Sequence, residues 1–109
     1  MATVVVAETA QIDLNEMILT HSLPDSTRDR AKTALGPLAA FPLLGPALTG
    51  RWHGLRFILG PWPWMLLIYE YDEITDRVSV VTIQDARSAR AATGYSGRTR
   101  GRRSTRGRP

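Results

Sequence analysis

The feature that most constrains this chain is the run from Gly54 to Arg87, where three apolar stretches are divided by two chain-breaking segments. Leu55-Arg56-Phe57-Ile58-Leu59 is followed by Gly60-Pro61-Trp62-Pro63. Proline offers a sheet no ladder donor, so the strand must stop there. Met65 to Tyr71 is dense in the aromatic and large aliphatic side chains that strands favour. Asp72-Glu73-Ile74-Thr75-Asp76 then has turn chemistry, because Asp and Thr side chains bond nearby backbone. Arg77 to Ile83 alternates, with Val78, Val80 and either Val81 or Ile83 set against Arg77, Ser79 and Thr82. Three antiparallel strands joined in this way form a meander that buries one face, so another part of the chain must cover it.

The N-terminal third supplies the cover. Thr3-Val4-Val5-Val6 is a β-branched run and predicts a strand, at an edge or in the centre of the sheet. A helix is expected from about Glu8 to Thr20, with Ala7, Ala10, Leu14, Met17 and Ile18 at helical spacing on one face. His21 to Asp25 reads as a turn, and Ser22 with Asp25 three positions later resembles a capping box. A second helix follows from about Pro24 to Leu35, its stripe formed by Ala31, Ala34, Leu35 and Leu38. Gly36-Pro37 ends it, and Pro42 to Gly50 is a loop. The order strand, helix, helix, strand, strand, strand predicts a two-layer α+β domain with a helical hairpin on an antiparallel meander sheet.

Composition sets the outer limits. A chain of 109 residues with 43% hydrophobic content supports one modest core. The absence of cysteine excludes disulfides and thiolate metal sites and points to a reducing, cytoplasmic setting. The longest apolar run, around Ile58 to Tyr69, is short and broken by Gly60, Pro61 and Pro63, so no membrane span is expected. His21 and His53 lie far apart, and no cofactor or metal is expected. No phosphate-binding loop or nucleophile elbow is present. Six arginines lie after residue 93 without an acid, which leaves eight basic and ten acidic residues in 1–93, a net −2. Two regions follow: a folded domain over 1–93, and a Gly/Arg-rich basic tail over 94–109, expected to be disordered because it cannot bury a core.

Several stretches together resemble the RelE/ParE superfamily of toxins from type II toxin–antitoxin systems. They are Asp13-Leu14 in the first helix, Phe41-Pro42 with Gly45, the run Leu48 to Arg56 (LTGRWHGLR), Ile68 to Glu73 (IYEYDE), and Val78 to Arg87. The resemblance spans about residues 3–92. It implies a toxin held inactive by a cognate antitoxin. RelE-like members cut mRNA in the ribosomal A site without a metal, whereas ParE-like members poison DNA gyrase and are not nucleases. The leading expectation is the metal-free mRNA endonuclease acting at the ribosome, with Arg51, His53, Arg56 and Arg87 converging on one site; inhibition of DNA gyrase is the alternative.

The nuclease reading needs a proton donor, a proton acceptor and cations on the transition-state phosphate. Arginine meets the last need, since its fork pairs phosphate oxygens bidentately. The candidates are Arg51, Arg56 and Arg87, with His53 to move a proton. Arg90 is a candidate RNA contact, and Tyr95 a candidate base-stacking group. A degenerate relative that only binds the antitoxin is the third alternative. One departure bears on the target. RelE-like enzymes usually carry an arginine early in the second meander strand, and alignment on Tyr69 puts Leu66 there. Trp52, Trp62 and Trp64 read either as caps of the sheet or as an antitoxin-binding patch, with burial expected for Trp64.

Overall fold

The computed structural model describes residues 1–87. Its elements are β1 (Thr3–Val6), α1 (Glu8–Thr20), α2 (Thr27–Leu35), β2 (Arg56–Leu59), β3 (Met65–Asp72) and β4 (Arg77–Asp85), with short 3-10 turns at Gly36–Ala39 and Gly50–Trp52. The sheet order is β1-β4-β3-β2. β2, β3 and β4 form the expected antiparallel meander, and β1 joins parallel to β4 as an edge strand. The α+β architecture read from the sequence is therefore the architecture found.

Both helices lie on one face. α1 buries Ala10, Leu14 and Ile18, spaced four apart, while α2 buries Thr27, Ala31 and Leu35. Leu38 continues the second stripe from the 3-10 turn that Pro37 imposes. These side chains meet Met65, Leu67 and Tyr69 of β3 and Val78, Val80 and Ile83 of β4. Strict alternation would put Thr82, not Ile83, beside Val78 and Val80. A bulge resolves this: Ile68 pairs with Thr82 and Tyr69 with Val80, so Val81 is the extra residue and the alternation slips by one. Ile83 then joins the helix-facing core, and Val81 packs on the opposite side.

β1 stops at its pairing of Val6 with Val80, which leaves the edge of β4 beyond that point without a neighbouring strand. Asp13 takes the vacated place. Its Oδ2 accepts from the Ile83 N–H at 3.2 Å and from the Thr82 hydroxyl at 2.5 Å. An acid one and a half turns into α1 thus completes the hydrogen bonding of a strand that the sheet leaves open.

The capping box expected at Ser22 and Asp25 does not form. Ser22 adopts φ 52° and instead closes α1. Its N–H donates to the Leu19 carbonyl at 3.4 Å and the Leu23 N–H to the Ile18 carbonyl at 3.0 Å, a Schellman pattern with serine in the left-handed position. Leu23 packs against the helix-side core and completes the motif. α2 therefore begins at Thr27, later than the sequence suggests, and Ser26 before it makes no side-chain cap.

Candidate functional site

A polar cluster sits where the C-terminus of α1 meets the end of β4. The Ala86 N–H donates to the Trp64 carbonyl at 2.7 Å, which sets Trp64 beside Asp85 and Arg87. Arg87 grips the Asp85 carboxylate with Nε at 3.1 Å and Nη2 at 2.9 Å, and its backbone N–H adds a third bond at 2.8 Å. His21, directly after α1, brings Nε2 to 3.1 Å from the same carboxylate. The His21 ring stacks on Trp64 with centroids 4.9 Å apart, and the Arg87 guanidinium lies 4.4 Å from the Trp64 ring. The bonds from the Arg87 side chain hold the Asp85 carboxyl at about 2; burial opposes this, and the Arg87 N–H and His21 reinforce it. Nδ1 of His21 faces the Thr20 hydroxyl at 3.0 Å and the Met17 carbonyl at 3.3 Å. Both imidazole nitrogens thus face protein partners, and the cluster works as a latch between helix and strand.

Arg56 lies elsewhere, opposite Tyr69 on β3, whereas Asp85 lies opposite Met65. Four strand positions, ~13 Å at the usual rise, separate the two. Its Nη1 donates to the Gly45 carbonyl at 2.8 Å, and the Gly45 N–H donates to the Tyr69 hydroxyl at 3.0 Å. Burial raises the Tyr69 pKa, with the Gly45 bond and the Arg56 charge opposing. Gly45 is required here: a Cβ would fall 2.0 Å from the Phe57 carbonyl oxygen. Arg56 and Tyr69 together pin the loop after α2 across β2.

Arg51 and His53 occupy a third setting. Arg51 belongs to the Gly50–Trp52 turn and His53 follows it; both are exposed. The Arg51 guanidinium lies 5.6 Å from the Trp52 ring. The structure thus holds Arg51 with His53, Arg56, and Arg87 in three separate settings. Arg90, Tyr95 and the basic tail lie outside the described residues. Trp62 and Trp64 both pack, half-buried, against the helix-side core, and Trp52 packs against the other face.

That other face decides what the sheet offers a ligand. Leu66 is 1% exposed and Ile68 0%, and with Phe57 and Leu48 they form a second apolar cluster beneath Trp52 and Leu55. The sheet is closed on both sides, by the helices on one and by the loop from Leu48 to Leu55 on the other. Among the described residues no group of three or more His, Cys, Asp or Glu side chains converges as a metal site. No helix among them is long and apolar enough to cross a membrane.

Sequence reasoning missed the latch. His21 and Asp85 are 64 positions apart, and neither lies in a local motif. Only the placement of the α1 terminus over β4 brings them together.

The fold matches toxins of known structure. No family model and no curated protein matches the chain. It is similar to a chain of the RelBE2 toxin–antitoxin complex of Mycobacterium tuberculosis, at 23% identity and a TM-score of 0.54, over 77% of this chain and 90% of that one. It is also similar to a metal-bound toxin from Helicobacter pylori at 22% identity and a TM-score of 0.57, over 78% of this chain and 94% of that one. A conserved hypothetical protein from Helicobacter pylori matches at 19% identity and a TM-score of 0.53, with the same coverage. The chain has the RelE-like toxin fold.

Proposed function

We propose that this chain is the toxin of a toxin–antitoxin pair and that it acts by binding a macromolecular target rather than by cutting RNA. The toxin assignment draws on the fold shared with the relatives above and on the sequence resemblance over residues 3–92. Its partner is then a cognate antitoxin, in line with the toxin–antitoxin complex among those relatives. The mode of action draws on one observation. The strand position where RelE-like nucleases carry an arginine holds Leu66, which is sealed into an apolar cluster with Ile68 and Phe57. A transferring phosphate would meet hydrocarbon there, where catalysis needs a cation. The nearby cations have other tasks, since Arg56 holds the Gly45 loop and Arg87 holds Asp85. DNA gyrase is the target this reading names, after the ParE-like members.

The second reading is a metal-free, ribosome-associated mRNA endonuclease. Arg51 and His53, exposed together around one 3-10 turn, favour it. Induced expression without the antitoxin separates the two when translation and plasmid supercoiling are followed in parallel. Growth arrest with altered supercoiling and continuing translation supports the binding toxin. An immediate stop in translation with mRNA fragments supports the nuclease.

A further inference from the structure

Two surface features of this fold complement each other. The first is a groove beside α2. A hollow of about 350 Å³ lies between α1 and α2, floored by Leu14, Leu35, Leu67 and Val80. A second, of about 500 Å³, runs on along β1 past Val4 and Ala39, and the two share Val6, Gln11, Lys32 and Leu35. The floor is apolar and the rim on α2 is basic, with Arg28 and Lys32 against the single acid Asp29. On the α1 side the rim is the neutral pair Gln11 and Asn15. Arg28 spans the cleft to Asn15 at 2.9 Å, whereas Lys32 is exposed and makes no hydrogen bond or ion pair among the described residues.

The second feature is the tip of the β3–β4 hairpin. Ile74 stands 95% exposed at its apex. Asp72 fixes the turn by accepting from the Ile74 N–H at 2.9 Å, and Asp76 accepts from the Tyr71 hydroxyl at 2.7 Å. Glu73 is exposed beside them. The tip is an aliphatic knob carried on a fixed turn and ringed by three carboxylates.

From this pairing we infer that the groove receives the hairpin tip of a second copy of this chain. Ile74 of one copy enters the apolar floor, and Glu73 meets Lys32 of the other. The match of charge and polarity commits the groove to this occupant: an acidic, apolar knob for a basic-rimmed, apolar groove. Closed symmetry requires the exchange to be reciprocal, so that each copy gives a tip and receives one. Two such small contacts lie at the weak end of specific interfaces, so association belongs at high protein concentration. This inference does not depend on the toxin reading, and its failure leaves that reading untouched.

Sedimentation equilibrium of the purified full-length chain over a concentration series is the test. The weight-average mass should rise from 12.1 kDa towards twice that value and level off. Ile74→Ser and Lys32→Glu, both at exposed positions, should each weaken association at least tenfold. Lys32→Glu combined with Glu73→Lys should restore it. A chain ended after residue 93 should associate like the full chain. A monomer at every concentration, growth beyond a dimer, association unchanged in Lys32→Glu, or loss on removing 94–109 would each overturn the inference. The last result would make the arginine-rich tail the occupant of the acidic tip.

Discussion

Asp13 ties α1 to the open edge of β4, and removing its carboxylate should cost the fold measurable stability. Its carboxylate oxygen accepts from the Thr82 hydroxyl and the Ile83 N–H at the stretch of β4 that β1 does not reach. Replacing Asp13 with Ala leaves both donors without that acceptor at a partly buried strand edge. Hydrogen bonds to charged groups contribute ~1.5–3 kcal/mol each. One oxygen serves both donors and the site is half open, so ~2 kcal/mol together is the reasonable figure. Alanine returns roughly 0.5 kcal/mol through its better helix propensity. The net loss is then ~1.5 kcal/mol, or about 6–12 °C in Tm for a domain of this size. Asp13→Asn keeps one acceptor oxygen and should lose about half as much. Thermal unfolding followed by circular dichroism measures both. If Asp13→Ala melts within about 2 °C of the parent, the carboxylate is not completing the β4 edge and the reasoning fails.

Three other substitutions probe separate parts of the account. Ser22→Gly should raise stability by about 1 kcal/mol, since glycine takes the left-handed φ of 52° without the Cβ penalty; a lower Tm would contradict the Schellman assignment. Gly45→Ala should cost about 3 kcal/mol or more, because the new methyl would meet the Phe57 carbonyl and force the loop off Tyr69; denaturant unfolding reads this directly. Arg87→Gln should cost stability at neutral pH and little in acid. Pairing lowers the Asp85 carboxyl from 3.8 to about 2, so its stabilisation is complete above about pH 4 and is lost as pH falls through 2. Without Arg87 the carboxyl moves back towards its unfolded value, so the stability gap between parent and variant should close as pH falls through 2; a gap that is equal at neutral and acid pH, or absent at neutral pH, would show that the latch does not act through this pair. Because Arg87 is 58% exposed, added salt should narrow the difference.

Much of the fold was legible because its signals are local. The Pro/Gly break at Gly60 to Pro63 and the aspartates of the β3–β4 turn mark the strands, and the four-residue spacing of Ala10, Leu14 and Ile18 marks α1. What was not legible depends on tertiary geometry. The bulge at Val81 carries no residue signature and decides which of Val81 and Ile83 reaches the core. Ser22 has the chemistry of an N-cap, and the chain uses it as a C-terminal stop because Leu23 finds the core beside Ile18. At the site, residue type marks the arginines as candidates but says nothing of what they hold. Arg56 and Arg87 proved to have partners, Gly45 and Asp85, that no spacing rule links to them. Leu66 was the informative position, and its meaning rests on the burial that the sequence only implied.

The most direct test of the proposed mode of action is to incubate the purified chain with ribosomes paused on a defined mRNA and to map the RNA 3′ ends. With Leu66 buried in an apolar cluster and Arg56 and Arg87 engaged by Gly45 and Asp85, the account predicts full-length message at every time point. New ends inside the A-site codon, lost when Arg51 or His53 is replaced, would contradict it.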